Sequence, residues 1–449
     1  MTDQTVPPQF VDEEASFPRP VRPARTPANM QSRQGSARSS VTEKRLTFWG
    51  TLDKPLLVMV GLMLALGLMM VFSATFDWSL QEFGSETAIL FSHVRNVIIG
   101  LVAMLIFSRL DPRIVRRLSV VIMLMAISFL IAVLLFGDDT FGARRALING
   151  RFQPGEFSEL AMIIYMAAWL GSKNMRVRSL AYGLIPFITM VLIVTGLVIL
   201  QPDLSTAVVI FITSAVMFFL AGADMRQIGI VAGVVFIVSL FSFPLLQQIA
   251  PYATGRINDW VAGVSDLTQA SYHTQQAAIA LRYGGWTGVG LGESEAKFLA
   301  LPAPHTDSIF AVIGEELGVM GASVVIALYL AFTIRGFQIS RQAVNTYSAL
   351  LAAGITIWVA SKAMLNIAVM TGLVPPTGLP LPFISFGGSS LVVLLVVVGI
   401  LLAIQRESLI QQNNAERRKP LAHYDRSRRD RGTRVSRTGS RRSDGQTVS

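Results

Sequence analysis

The stretch PAPHTDSIFAVIGEELG, Pro302 to Gly318, decides how the rest of the chain is read. An acid, Asp307, opens an apolar run of membrane-helix character, and Glu315 and Glu316 follow a little over two turns further on. A charged side chain at mid-bilayer costs roughly 2.5–3.5 kcal/mol on insertion scales, so acids in such a run mark a protein-lined cavity. The plainer alternative makes Asp307 a helix N-cap and pairs the glutamates with basic neighbours.

Around this run the chain of 449 residues is 52% hydrophobic and only 15% charged, with a net charge of +10. That composition predicts an all-α polytopic membrane protein rather than soluble domains. There is no cysteine, which excludes disulfide, iron–sulfur and thiolate chemistry. Hydropathy predicts about ten transmembrane helices. Their cores are Leu56–Thr75, Val94–Phe107, Leu118–Phe136, Phe157–Leu170, Ala181–Leu200, Leu204–Leu220, Ile228–Leu246, Ile309–Ile334, Tyr347–Met370 and Leu391–Ile404. A long extracytoplasmic loop, Gln247–Ser308, separates helices 7 and 8. Residues 1–45 are rich in Pro, Arg, Ser and Gln and read as a disordered tail with no signal peptide. The transmembrane domain covers 46–406, and 407–449 form a second, basic disordered tail. No folded nucleic-acid module accompanies that charge, so it suits lipid headgroups rather than nucleic acid.

Cations assign the two sides. Arg109, Arg113, Arg116 and Arg117, then Lys173, Arg176 and Arg178, then Arg226, then Arg335 and Arg341 alternate onto the side of the basic tail. The positive-inside rule makes that side, and both termini, cytoplasmic. The exceptions are Arg144, Arg145 and Arg151 in one outer loop, Arg256, Arg282 and Lys297 in the long outer segment, and Lys362 within a helix. Cations on the disfavoured side bind an anionic ligand or pair with nearby acids, and topology does not choose between these.

Two irregular runs stand out. RYGGWTGVGLGES, Arg282 to Ser294, lacks the strand–helix context of a dinucleotide fingerprint. It reads either as a flexible loop that lets backbone approach a ligand or as a plain outer loop. VPPTGLPLPFISFGGSS, Val374 to Ser390, cannot be a lipid-facing helix, because its prolines lack amide donors. It is expected to be re-entrant or cavity-lining, with a simple outer turn as the alternative. Asp203, after Gln201 and Pro202, is placed to cap the sixth helix. There is no P-loop, HExxH or GxSxG pattern, and His93, His273, His305 and His423 are scattered, so ATP hydrolysis and zinc proteolysis lack support.

Six segments in order resemble the SEDS family of shape, elongation, division and sporulation proteins (FtsW, RodA, SpoVE). They are GARR at Gly142–Arg145, FQPGE at Phe152–Glu156, QPDLSTA at Gln201–Ala207, GGWTGVGLG at Gly284–Gly292, LPAPHTDSIFAVIGEELG at Leu301–Gly318, and PPTGLPLPFISFGGSS at Pro375–Ser390. VIGEELG with Lys297 resembles the FtsW branch more than the RodA branch. The resemblance implies a peptidoglycan glycosyltransferase that polymerises lipid II on the outer face of the cytoplasmic membrane. It implies a division-septum role beside a class B penicillin-binding protein (an FtsI-like transpeptidase) and other divisome proteins. An elongation-type polymerase, a lipid II flippase and a non-catalytic scaffold are the rival readings.

The family's essential acid falls on Asp307, its arginine after GA on Arg145, and its QPSE glutamate on Glu156. The usual lysine three residues on is here Glu159, so a cation is missing that Arg144, Arg151 or Lys362 would have to replace. Gly155, Ala146, Ser308 and Ala303 are further departures. The implied chemistry is attack of an acceptor 4-hydroxyl on the donor's anomeric carbon, with a lipid diphosphate leaving. Asp307 is the candidate base. Arg144, Arg145, Arg256 and Lys297 are candidates to hold the diphosphate. His305, Glu156, Glu315 and Lys362 complete the candidate substrate-binding set, Glu315 from a cavity floor about 12 Å deeper. No protein metal site is expected; a divalent cation, Mg or Mn, would arrive on the diphosphate.

Overall fold

The computed structural model describes residues 48–140, 143–146, 153–173, 175–235, 237, 251–299 and 301–435, all within the unit Thr47–Ser449. The expected tail 1–45 lies outside the described residues. Helix starts are legible in the sequence. Asp53 precedes Pro55 and accepts the Leu56 amide at 3.0 Å, opening α1 (Lys54–Phe83). Asp111 precedes Pro112 and accepts the Arg113 amide at 2.8 Å, opening α3 (Pro112–Phe136). Asp203 caps α6 (Leu204–Leu220) through the Thr206 amide, as expected, and Asn345 caps α12 (Thr346–Met370). Such caps are each worth about 1 kcal/mol, and proline in the first turn forfeits no helical bond.

The remaining helices are α2 (Ala88–Arg109), α4 (Pro154–Leu170), α5 (Ile185–Ile199), α7 (Met225–Val235), α8 (Pro251–Ser265), α9 (Tyr272–Gly284), α10 (Ala296–Leu299), α11 (Ile309–Gln342) and α13 (Ser389–Val435). One antiparallel hairpin, β1 (Asp138–Thr140) and β2 (Ala143–Ala146), interrupts the all-α pattern. Among the described residues seven helices are long and apolar enough to cross a membrane. The other predicted spans fall on the shorter α4, α6 and α7, and the core Ile228–Leu246 runs on into 238–250, outside the described residues. α13 continues for 47 residues, past Arg406 where a polar tail was expected to begin; its Glu, Arg, Gln and Ala are good helix formers.

α12 is the central pillar. Of its apolar window 78% is buried, against 28% for α2 and for α3, whose other faces suit lipid. It packs on α4, α6, α9, α11 and α13. At one end of the bundle Arg335 of α11 clamps Asp53, the α1 cap, at 2.6 Å.

Two segments that the sequence leaves without helix pack at the opposite end of the bundle. The proline-rich run after α12 is one. Its residues Leu379, Leu381, Phe383, Ile384 and Ser385 are buried, and Gly67, midway along α1, admits it: a Cβ there would lie 2.8 Å from the Phe383 and Ile384 carbonyl oxygens. Side chains satisfy its backbone. Tyr329 donates to the Pro382 carbonyl, Asn366 to that of Leu379 at 2.7 Å, and Ser385 accepts the Leu381 amide at 2.8 Å. This is the re-entrant loop the sequence predicts, and it obeys the rule that irregular backbone at membrane depth must be satisfied by protein.

The glycine-rich run is the other, and its backbone is bonded to the kink of α11. α11 breaks at Gly318 (φ 67°, ψ −167°). The carbonyls freed there, of Glu315 and Glu316, accept the Val289 and Gly290 amides at 3.0 and 3.1 Å. In return the Val319 and Met320 amides donate to Gly285 and Trp286 at 2.9 and 3.2 Å. The glycines are there for backbone-to-backbone contact: a Cβ on Gly318 would lie 2.4 Å from the Gly288 nitrogen.

Candidate active site under the re-entrant loop

Asp307 ends the turn that leads into α11. Its side chain is not the helix cap, because the cap position is Ser308 and no side chain closes it. Thr306 donates to Asp307 Oδ1 at 3.0 Å, while Oδ2 faces Gly378 of the re-entrant loop, 3.5 Å from where a Cβ would stand. Asn366 of α12 donates to the Asp307 carbonyl at 2.7 Å, and with its bond to Leu379 it ties turn and loop to the pillar. Two further bonds close the seam: Phe386 to the His305 carbonyl at 2.8 Å, and Ser385 to the Thr306 carbonyl at 2.5 Å.

Arg256 of α8 reaches the same loop, donating to the Pro376 carbonyl at 3.1 Å. His305 stacks on Trp78 of α1, ring centres 4.9 Å apart, and meets Phe386 edge-on at 5.7 Å. Its Nδ1 is buried without a partner, as are Asn366 Oδ1 and Thr377 Oγ1. Burial lowers the basicity of His305 below the usual 6.5, and the neighbouring Asp307 partly restores it.

The other candidates divide by place. Lys297 pairs with Glu316 at 2.8 Å, and both also bond Ser73 of α1. The Lys297 side chain is 2% exposed, so it is engaged in this clamp rather than presented to Asp307. Glu315 accepts Ser294 and the Glu295 and Ala296 amides, pinning the chain that returns from the glycine turn. Glu156 is buried in the first turn of α4 and accepts Ser389 at 3.3 Å. Lys362 of α12 meets Glu159 of α4 at 2.6 Å, and Trp358 donates to the same carboxylate at 2.9 Å. The Glu159 departure is thus answered from α12, and Lys362 also lines a small cavity against Pro380–Phe383. Arg144 and Arg145 lie on β2, where Arg144 pairs with Asp139; their side chains and all of Arg151 lie outside the described residues.

Ser73 lies about 28 Å along α1 from Lys54, and Gly318 about 26 Å along α11 from Arg335. A hydrocarbon core is about 30 Å thick, so the Lys297–Glu316 clamp marks one membrane boundary. Asp307, just before the start of α11, lies at that same end of the bundle.

Sequence reasoning missed His273 and Asn366. His273 Nε2 lies 2.7 Å from Ser308 Oγ, although 35 residues separate them. Asn366 carried a usable signal, lying one turn after Lys362 on one helix face. Among the described residues no group of three or more His, Asp or Glu side chains is placed to hold a metal ion.

Fold and site together define a multi-pass membrane protein with a cluster of polar side chains at one end of its bundle. A family model described as "Cell cycle protein", for FtsW, RodA and SpoVE, matches residues 54–409. Stage V sporulation protein E of Bacillus subtilis is 35% identical over 360 residues, covering 79% of this chain and 97% of its own. A probable peptidoglycan glycosyltransferase FtsW of Legionella pneumophila is 36% identical over 364 residues, covering 79% and 91%. Among solved structures, a chain of a peptidoglycan synthase complex superposes with a TM-score of 0.66 at 24% identity, covering 80% of this chain and 98% of its own. Thermus thermophilus RodA superposes with a TM-score of 0.59 at 24% identity, covering 81% and 99%. The chain belongs to the FtsW/RodA/SpoVE family.

Proposed function

We propose that this chain is a peptidoglycan glycosyltransferase that joins lipid II units into glycan strands at the outer face of the bacterial cytoplasmic membrane, in the division role of the FtsW branch. Relatives known as probable peptidoglycan glycosyltransferases support the activity. The observation that carries the reading is the Asp307 carboxylate, half-exposed at the membrane-boundary end, fixed by Thr306 and faced by the re-entrant loop. A lipid-tailed donor keeps its chain in the bilayer and its sugars at that height.

The acceptor 4-hydroxyl attacks the anomeric carbon of the donor, its proton passes to Asp307, and the diphosphate leaves with the electron pair of the broken C–O bond. Arg256, with Arg144 and Arg145 of β2, supplies positive charge to the diphosphate, because guanidinium engages phosphate oxygens bidentately. His305, beside Asp307, is the candidate to hydrogen-bond a sugar hydroxyl. Lys297, Glu315 and Glu316 hold the site's frame, and Glu156, Glu159 and Lys362 its floor. A divalent cation (Mg or Mn) would be carried by the diphosphate, since Asp307 brings one carboxylate and no cage. A class B penicillin-binding protein is the proposed partner, consistent with the fold's likeness to a chain of a synthase complex.

The test is glycan synthesis from lipid II by the purified protein in detergent, where no flipping between leaflets can produce a polymer. Asp307→Asn should slow polymerisation by about 100-fold or more, the low end for loss of a general base. Wild-type rates from a stably folded Asp307→Asn variant would reject the base assignment.

A further inference from the structure

His273 belongs to the long segment before α11, far from Asp307 in sequence. α9 brings it back. Ser271 caps that helix, and its far end is locked to α11, where a Cβ on Gly284 would collide with the Gly314 carbonyl. The ring of His273 therefore meets the turn before α11, and its Nε2 lies 2.7 Å from Ser308 Oγ. Ser308 is fully buried and donates its one proton to the Pro302 carbonyl at 2.7 Å. Nε2 must then be the donor to Ser308, which leaves Nδ1 as the acceptor nitrogen of a neutral ring.

We propose that His273 is a positioning residue for Asp307: its Nε2–H holds Ser308 and with it the turn that aims the carboxylate, and the neutral ring is the working form. This rests on the reading of Asp307 as the base. A protonated ring would attract the adjacent carboxylate and hold it back from the sugar hydroxyl; a neutral ring leaves it available. From α8 the ring faces Arg256, and from the turn before α11 it faces Asp307, which itself lies beside His305. From the end of α12 comes Gly372, beside Thr274. Burial lowers the basicity of His273 below 6.5; Asp307 opposes that shift and Arg256 reinforces it.

The test uses the full chain in detergent. His273→Gln keeps a donor for Ser308 but cannot titrate, whereas His273→Ala removes both. With lipid II, His273→Ala should lower kcat by about 10-fold with KM unchanged, and His273→Gln should recover at least about half of that loss on a logarithmic scale. The acid limb of the wild-type pH profile should move to lower pH in His273→Gln. A Gln profile that superposes on wild type, or an Ala variant with wild-type kcat, overturns the proposal. An NMR titration of the His273 ring needs no turnover. Asp307→Asn should lower its pKa, and an unmoved titration overturns the proposal even if the wild type polymerises. A moved titration in a protein that makes no glycan sinks the proposed function and leaves the coupling standing.

Discussion

Lys362 and Glu159 bring opposite charges together from two helices inside the bundle, with side chains 3% and 1% exposed. Removing one partner from a buried pair typically costs about 3–5 kcal/mol, because the other charge is stranded, whereas apolar replacement of both is far milder. Lys362→Met alone should therefore lower thermal stability in detergent sharply. The double variant Glu159→Gln, Lys362→Met should recover most of the loss, and a double variant as unstable as the single would contradict the pairing. His273 and His305 give a pH signature of their own. Both fold with basicity lowered by burial, so the unfolded chain takes up protons first as pH drops. Their contribution is present above about pH 6.5, the unfolded value, and is lost as pH falls from there toward their lower folded values. The melting temperature should decline between pH 7.5 and 5.5, and less steeply in His305→Gln. The sequence displayed Asp307, Glu156 and the misplaced cations as candidates. It could not show that Lys297 is consumed by Glu316, since ion pairing across 19 residues depends on where the chain turns back.

At the scale of elements, the break in α11 and the glycine turn form one device. Each supplies the hydrogen bonds the other lacks, so neither is stable as drawn without its partner. Gly318→Ala would place a Cβ against Gly288 and force a left-handed conformation on a residue that disfavours it. It should cost about 1–3 kcal/mol or more. Gly84 has the same sign of φ, at 65°, but a left-handed helical ψ of 14° and open space around it, so Gly84→Ala is the milder control and should cost only about 1 kcal/mol. Equal melting temperatures for the two variants would refute the interlock. The proline-rich loop was legible because prolines and paired glycines between apolar spans leave few alternatives. The glycine turn was not. Glycines permit close approach to a ligand and to another backbone alike, and nothing local says which will arrive.

At the scale of the molecule, the absence of cysteine makes sidedness directly measurable. Ser85→Cys and Asp266→Cys, exposed at the site end, should react with an impermeant maleimide added to intact cells. Ser172→Cys, exposed at the basic end, should react only after permeabilisation, and the reverse pattern would place the site on the wrong side for the proposed chemistry. Apolar runs, their caps and the alternation of cations determine that this chain spans a membrane many times, and they do so from sequence alone. Burying backbone in lipid leaves helices as the solution for such runs, and each helix is specified by its own residues. The site is another matter. Asp307, His273, Arg256 and Asn366 lie on four separate stretches of chain, and their meeting is decided by how α9, α11, α12 and the re-entrant loop pack. Only tertiary structure shows that the glutamates beyond Asp307 serve as clamps, because partnership comes from packing and not from order along the chain.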